Sequence, residues 1–180
     1  MPTIGVSIAV PDPIGSELQA RRASFGDGPA LAIPTHVTLL PPTEVDQGDL
    51  AEVSAHLERT SEAQRPFRVR LRGTGSFRPT SPVVFVRVVD GGEGCERLQR
   101  AIRSGPLRRP LSFAYHPHVT VAHHLSDEAL DRACTELSAY RASFEVTSFR
   151  LYEHGPDQVW RAIRTYPFAA VPVLRRGAAS

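Results

Sequence analysis

The sequence predicts an α+β fold of two similar lobes, in which antiparallel sheets flanked by helices surround a central cleft. The main observation is a repeat, since the tripeptide His-Val-Thr occurs at residues 36–38 and again, 82 residues later, at 118–120. Each copy is followed by the pattern of a helix and then of a β-hairpin, and hairpins with separate groups of helices are typical of α+β proteins. We expect one domain over residues 1–170, made of two pseudo-symmetric lobes, and a basic tail over residues 171–180.

The first half of the chain reads as strand, helix, motif strand, helix and hairpin. Alternating residues from Ile4 to Val10 predict a strand, and the prolines after it favour a helix that ends near Ser24. The motif strand is expected over residues 36–40, ending at Pro41-Pro42. Apolar residues at helical spacing then predict a helix over about residues 49–62, and a turn-rich segment predicts a hairpin of strands 67–71 and 83–89.

The second half repeats this order. A short helix is expected around Cys95, Leu98 and Ile102, followed by the second motif strand over residues 118–123. Ser126 is the expected N-cap of the next helix. The inward residues of that helix are predicted to be Leu130, Ala133, Cys134 and Leu137. Strands 144–152 and 159–166 are predicted to form the second hairpin, so that each lobe corresponds to one half of the sequence.

The amino-acid composition excludes several classes of protein. All 21 basic residues are arginine, which excludes a nucleotidyl-lysine ligase, a Schiff-base enzyme and a P-loop protein, because each of these needs a lysine. Cys95 and Cys134 fall on apolar helix positions without a CxxC motif, so we expect buried free thiols. The apolar run from Ile4 to Val10 is far shorter than the roughly 20 residues of a membrane span. We expect a cytoplasmic monomer with no signal peptide and no membrane contact.

The two motifs are the candidate catalytic residues. Alternate residues of a strand face the same side, so each motif places an imidazole beside a hydroxyl and points its valine to the other face. The candidates are His36 and Thr38 in the first motif and His118 and Thr120 in the second. Two such strands facing each other across a cleft could clamp one anion, and the two imidazoles could act as general base and general acid near neutral pH.

These motifs resemble those of the two-histidine (2H) phosphoesterases and, within them, the group of 2′-5′ RNA ligases and RNA 2′,3′-cyclic phosphodiesterases. The resemblance covers about residues 3–168 and includes the loop Phe77-Arg78-Pro79 and the segment from Phe113 to Pro117 before the second motif. One position departs from the pattern. Many cyclic phosphodiesterases of the group have an arginine three residues beyond the second threonine, where this chain has His123.

The resemblance implies a metal-independent phosphodiesterase that opens a 2′,3′-cyclic phosphate of RNA ends or small nucleotides to a 2′-phosphomonoester. It implies His118 as the base and His36 as the acid, with Thr38 and Thr120 binding the phosphate oxygens. The reverse reaction in the same site would be 2′-5′ RNA ligation. No metal and no cofactor are expected.

Five further residues are candidate substrate contacts. Aromatic side chains near the strand ends could stack a base, and polar side chains near the second motif could contact the phosphate. These candidates are Phe77, Arg78, Tyr115, His123 and Tyr152. Trp160 is a further aromatic at a strand end, although core packing is the more common role of such residues.

Three alternatives remain open from the sequence. His116, His118 and His124 share one face of an extended strand and could offer three imidazoles to Zn²⁺, but residues six apart on a strand are about 20 Å apart. The duplicated fold could instead be a non-catalytic module that binds RNA or nucleotide phosphates. A 2H enzyme could also act on 2′-5′ linkages or on ADP-ribose cyclic phosphate.

Overall fold

The computed structural model describes residues 1–169 and contains eight strands and four α-helices within them. In chain order the elements are β1 (Thr3–Ala9), α1 (Ile14–Ser24), β2 (His36–Glu44), α2 (Leu50–Glu62), β3 (Phe67–Ser76), β4 (Val83–Asp90), α3 (Gly92–Ile102), β5 (His118–His123), α4 (Asp127–Glu136), β6 (Arg141–Val146), β7 (Ser148–His154) and β8 (Trp160–Pro167). The α+β class is as predicted. The tail predicted over residues 171–180 lies outside the described residues.

The strands form two antiparallel four-stranded sheets with matching layouts. Sheet 1 has the order β2-β1-β7-β8 and sheet 2 the order β5-β4-β3-β6. Each motif strand, β2 or β5, is therefore an edge strand whose inner neighbour is β1 or β4. The predicted division of the lobes into the two sequence halves is wrong, because each sheet takes two strands from each half.

The strand predicted over residues 144–152 is two strands in different sheets. β6 pairs with β3 in sheet 2, while β7 pairs with β1 and β8 in sheet 1. The chain crosses between the sheets at Thr147, which is exposed. The predicted hairpin is therefore formed only by β7 and β8.

The prediction that β2 ends at Pro41-Pro42 is also wrong, because the strand continues to Glu44. Both prolines are exposed, and the register between β1 and β2 shifts in this part of the pair. Prolines are tolerated in edge strands and at such irregularities, where the missing N–H removes no ladder hydrogen bond.

The helices and the hydrophobic core follow the predicted apolar spacing closely. Ser126 caps α4 by accepting a hydrogen bond from the backbone N–H of Ala129, and Leu130, Ala133 and Leu137 are buried below it. Cys95 is a buried free thiol as predicted, and burial raises its pKa to about 12, whereas Cys134 is only partly buried. No helix within residues 1–169 is long and apolar enough to cross a membrane.

Candidate functional site

The two motif strands meet at the junction of the sheets. β2 and β5, each an edge strand of its own sheet, pack close to each other. Val37 and Val119 are fully buried on the core side of these strands, and the histidine and threonine on either side of each valine are partly exposed. The alternation predicted from the sequence is thus present in both strands, and it brings one histidine of each motif to the same junction.

Both motif imidazoles are held by the same local hydrogen bond. Nδ1 of His36 lies 2.6 Å from the carbonyl oxygen of Pro34, and Nδ1 of His118 lies 2.6 Å from the carbonyl oxygen of His116. A carbonyl can only accept, so Nδ1 carries the proton in each ring. The Nε2 atom of each neutral imidazole is consequently left with a lone pair that can accept a proton from a ligand or a water molecule.

The surroundings of both rings disfavour their protonated forms. Burial lowers the pKa of His36 to about 4, and the positive charges of Arg22 and of His118 also lower it, against the opposing effect of the hydrogen bond to Pro34. Burial likewise lowers the pKa of His118, with a smaller contribution from the charge of His116. Both imidazoles are therefore neutral at pH 7 in the unliganded protein.

Aromatic side chains surround His118. The ring of Phe77 meets that of His118 edge to face at a centroid distance of 4.9 Å, and the Phe85 ring lies 5.2 Å away. Phe85 is paired with Thr120 across β4 and β5, which places it beside the second motif. His116 contacts the same two phenylalanines. The predicted candidate Phe77 is thus part of the site, where it packs against the histidine.

Tyr115 links the two sheets. Its hydroxyl donates a 2.9 Å hydrogen bond to the backbone carbonyl of Thr38. Thr38 lies on β2, whereas Tyr115 lies in the segment before β5. Burial raises the pKa of this hydroxyl, which therefore stays protonated and remains a donor. The structure places Tyr115 at the site, but its hydroxyl is already engaged in holding β2 next to the segment before β5.

A small pocket of about 90 Å³ lies on the His36 side of the junction. His36, Thr38, Tyr152 and Trp160 line it, together with Gly5, whose missing side chain lets the indole approach. A Cβ atom at Gly5 would lie 3.1 Å from the Trp160 ring. The pocket thus combines an indole and a phenol beside one motif.

The hydroxyl of Tyr152 has no hydrogen-bond partner within residues 1–169, although only 5% of the residue is exposed. A buried polar group without a partner costs about 1–3 kcal/mol. The hydroxyl oxygen is itself fully buried, so a ligand atom would accept its hydrogen bond and remove that cost only after the hydroxyl turns towards the pocket. The predicted candidate Tyr152 is therefore well placed to contact a ligand.

A larger cavity of about 610 Å³ opens on the His118 side. It shares Thr38 and Pro41 with the small pocket, so the two spaces flank the paired motifs. The remaining lining residues include Phe77, Ser81, Arg103, Leu111, Phe113, Tyr115, His116 and His118. Phe113 is 75% exposed, which is unusual for a phenylalanine and leaves an apolar wall at the mouth of this cavity.

Two predicted contacts lie elsewhere. The Arg78 guanidinium forms ion pairs with Asp131 at 2.7 Å and with Asp127 at 3.3 Å, both on α4, so it ties the loop after β3 to that helix. His123 ends β5, and its ring packs on that of His124 at a centroid distance of 3.9 Å. Neither residue lines the two spaces that flank the motifs.

The zinc alternative lacks its three ligands. The rings of His116 and His118 are 5.9 Å apart, whereas His124 stacks on His123 at the far end of β5. Within the described part of the chain, no group of three histidine, cysteine or acidic residues is arranged to hold a metal ion.

Residues that the sequence did not single out also belong to the site. In the sequence, Phe85 is an ordinary apolar residue of a buried strand, and Gly5 is a strand residue without a side chain. Arg22 is in the sequence only the second of two consecutive arginines near the end of a helix; it lines neither space beside the motifs, but its charge lowers the pKa of His36. Strand pairing reveals Phe85 and Gly5, and the packing of α1 reveals Arg22; none of these could be obtained from spacing alone.

Comparisons with known proteins agree on one family. A family model described as the 2′-5′ RNA ligase superfamily matches residues 10–158, which include both motifs. The chain is 29% identical over 140 residues to a Bacillus licheniformis protein provisionally named a phosphoesterase, covering 77% of this chain and 82% of that protein. It is 30% identical over 136 residues to a similarly named Bacillus pumilus protein, covering 74% and 79%.

Two solved structures share the fold. E. coli LigT complexed with 3′-AMP has a TM-score of 0.68 at 19% identity, covering 94% of this chain and 100% of that one. The protein TT0787 of Thermus thermophilus has a TM-score of 0.66 at 22% identity, covering 92% and 97%. At these identities the likeness establishes the architecture of two matched antiparallel sheets.

The unliganded protein should show a histidine that titrates far below the usual range. We expect His36 to become protonated near pH 4, because burial and the charges of Arg22 and His118 lower its pKa. Long-range ¹H–¹⁵N NMR spectra recorded between pH 3.5 and 8 would follow this titration, with the signal assigned by its loss in His36→Gln. Circular dichroism over the same range would confirm that the protein remains folded. Titration of His36 at or above pH 6.5 would contradict this description of the site.

Proposed function

The chain belongs to the 2′-5′ RNA ligase superfamily and is a phosphoesterase of that family, and from this premise we propose that it opens 2′,3′-cyclic phosphates. The product would be a 2′-phosphomonoester of an RNA end or a nucleotide, formed without a metal ion. The observation that carries the proposal is the pair of motif histidines, each held through Nδ1 at the junction of the two sheets.

In the proposed reaction, one imidazole accepts a proton from water as the water oxygen attacks phosphorus. The other imidazole donates a proton to the departing ribose oxygen, so that one P–O bond forms and one breaks. Thr38 and Thr120 donate hydrogen bonds to the nonbridging oxygens, where negative charge increases in the transition state. One proton must therefore be present on the histidine pair when the reaction begins.

Substrate binding favours the protonation of one histidine of the pair. Both imidazoles are neutral at pH 7 in the empty site, but a bound phosphodiester carries a negative charge that favours a protonated imidazole. The low pKa of His36 favours His36 as the neutral partner in the unliganded protein. The resemblance assigns His36 as the acid, and that assignment requires the bound phosphate to reverse this order.

The pocket beside His36 is the proposed site for the nucleoside. Trp160 and Tyr152 provide aromatic surface for a base or ribose, and stacking of a base on an aromatic side chain contributes about 1–3 kcal/mol. E. coli LigT, which shares the fold, has been solved with 3′-AMP and with ATP. These ligands support a nucleotide as the bound group in the present chain.

The larger cavity beside His118 favours RNA ends over mononucleotides. A cyclic mononucleotide has one nucleoside, which can place one edge against Trp160 and Tyr152 in the pocket beside His36, since a pocket of about 90 Å³ cannot enclose a whole nucleoside. The space of about 610 Å³ on the other side of the motifs is then free for the rest of a chain. The same two-sided arrangement would accept a 2′-5′ linkage, which makes the reverse ligation reaction geometrically reasonable.

Turnover should depend on both motif histidines and not on a metal ion. We expect His36→Ala and His118→Ala each to lower the rate at least 100-fold, because a positioned acid or base contributes about 10²–10⁴-fold. The assay follows opening of nucleoside 2′,3′-cyclic phosphates and of a short RNA with a cyclic end, in EDTA, with chromatography to identify the product.

The matched control for this assay is His124→Asn. His124 is exposed and has a φ of 53°, which asparagine tolerates well. It should retain the wild-type rate. A wild-type rate in His36→Ala, or loss of all activity in EDTA, would overturn the mechanism, and binding of the ligands without turnover would indicate a binding module.

The pH profile of kcat/KM should be bell-shaped and acidic. This parameter reports ionisations of the free enzyme, whose active form carries one proton on the histidine pair. Activity falls below about pH 4, where His36 is also protonated, and falls as pH rises through the lowered pKa of His118. Initial rates at substrate concentrations below KM, between pH 3.5 and 9, would measure the profile. An optimum above pH 7 would contradict the proposed ionisations.

Tyr152→Phe should stabilise the free protein and weaken substrate binding. The substitution removes a buried hydroxyl that has no partner within the described residues, and it removes the proposed donor to the ligand. We expect a higher Tm and a KM raised about 5- to 10-fold, which corresponds to about 1–1.4 kcal/mol. Thermal unfolding and steady-state kinetics would measure both quantities.

Tyr166→Phe is the control for this pair of effects. The Tyr166 hydroxyl is hydrogen-bonded to Ser54 at 3.1 Å, away from the pocket, so its removal should lower Tm and leave KM unchanged. If Tyr152→Phe leaves KM unchanged, the pocket beside His36 is not the nucleoside site.

A further inference from the structure

Arg22 is a buried arginine close to the first motif. It lies on the face of α1 that also contains Gly15 and Leu18, and only 6% of the residue is exposed. Its Nε atom donates a 2.7 Å hydrogen bond to Oδ2 of Asp27, a residue that is itself 3% exposed. Arginine is seldom buried without a role, because removing a charge from water is costly unless the charge is compensated.

The packing of α1 explains why Arg22 lies near His36. The hydroxyl of Thr35 donates to the backbone carbonyl of Gly15 at 2.8 Å, and the Gln19 amide donates to the carbonyl of Ile33 at 3.1 Å. These bonds attach one face of α1 to the segment that leads directly into β2. The same helix also packs against β5. Arg22, one turn beyond Leu18, lies on this same buried face of α1.

The pairing of Arg22 with Asp27 is incomplete. An arginine has five N–H donors and commonly binds a carboxylate through two parallel hydrogen bonds. Here Asp27 engages Nε alone, and its Oδ1 atom is buried without a partner within residues 1–169. The hydrogen bonds of the described residues include none from the terminal amino groups of Arg22. The guanidinium is therefore oriented so that two donor groups remain available.

The electrostatic effect of Arg22 is directed at the motifs. Its positive charge lowers the pKa of His36 more strongly than the charge of His118 does, and it also lowers the pKa of His123. Arg22 therefore lies close enough to His36 and to His123 to interact electrostatically with both, and Asp27 is a buried carboxylate among them. Such an arrangement is stabilised by a bound anion.

We propose that Arg22, held by Asp27, is a phosphate-binding residue of this site and donates hydrogen bonds from its terminal amino groups to the substrate phosphate. The inference rests on the proposed function, because it assigns a further contact to the same phosphodiester. It gives the site a permanent cation beside the first motif, whereas His123, at the end of the second motif strand, is neutral when unprotonated.

The test measures binding of inorganic phosphate, which does not require turnover. Phosphate is titrated into the wild-type protein at constant ionic strength and pH 5.5, and NMR signals of His36 and His118 report the dissociation constant. We expect Arg22→Gln to weaken binding at least 10-fold. Arg21→Gln is the matched control, because Arg21 is on the same helix but is exposed and paired with Glu136 at 3.6 Å. It should bind as the wild type does.

A second readout separates phosphate binding from a purely structural role. Without phosphate, Arg22→Gln should raise the pKa of His36, because the strongest positive charge that acts on it is removed, while His118 on β5 remains. If Arg22→Gln does not fold by circular dichroism, Arg22→Lys replaces it, and binding at least 3-fold weaker than wild type is expected because lysine cannot reproduce the fork.

The outcomes are distinct from those of the proposed function. Phosphate affinity within 2-fold of wild type in the folded variant, or no phosphate binding by the wild type, overturns the role of Arg22. Arg22-dependent phosphate binding without turnover of any cyclic phosphate supports the role of Arg22 and overturns the proposed reaction. Turnover of a cyclic phosphate, combined with a phosphate affinity that does not depend on Arg22, supports the proposed reaction and overturns the role of Arg22.

Discussion

The site depends on the close packing of two edge strands, β2 and β5. An edge strand exposes unpaired backbone groups that are usually protected from other chains. Here the Tyr115 hydroxyl donates a hydrogen bond to one such group, the backbone carbonyl of Thr38, across the junction. Each strand contributes half of a symmetric set, namely one imidazole and one hydroxyl. For the proposed reaction neither half is sufficient, because moving one proton to a base and another from an acid needs both rings at one phosphate.

Several groups around this junction are less well satisfied than a stable protein interior requires. Both imidazoles have lowered pKa values, Tyr152 and Asp27 each have a buried oxygen without a partner in the described part of the chain, and Phe113 is exposed. Away from the site, the core is densely apolar and Arg78 finds two carboxylates. Gln99 Oε1 on α3 is a further buried oxygen without a partner in the described residues, so such atoms are not confined to the site. Titratable groups with shifted pKa values that cluster at one place are typical of a functional site.

Local patterns predicted the elements, and strand pairing decided where they lie. The bounds of β5 and the Ser126 cap match the prediction, because alternation and capping depend on neighbouring residues. The break at Thr147 left a trace that the prediction overlooked: the buried residues are Phe144 and Val146 before it but Phe149 and Leu151 after it, so the alternation changes phase. Arg78 could not be placed from sequence, since its partners lie on α4, 49 and 53 residues away. Arg22 needed the packing of α1 for the same reason.

The crossing at Thr147 also sets the order in which the molecule can be assembled during translation. Sheet 2 is built from consecutive strands between Phe67 and Val146, whereas sheet 1 joins β1 and β2 to β7 and β8, which emerge from the ribosome after all of sheet 2. Until β7 has been made, His36 lies on a two-stranded ribbon of β1 and β2, which is marginally stable by itself. A nascent chain thus carries a finished second motif strand and an unfinished first one. The site that contains both motifs can therefore be completed only after β7 and β8 have been synthesised.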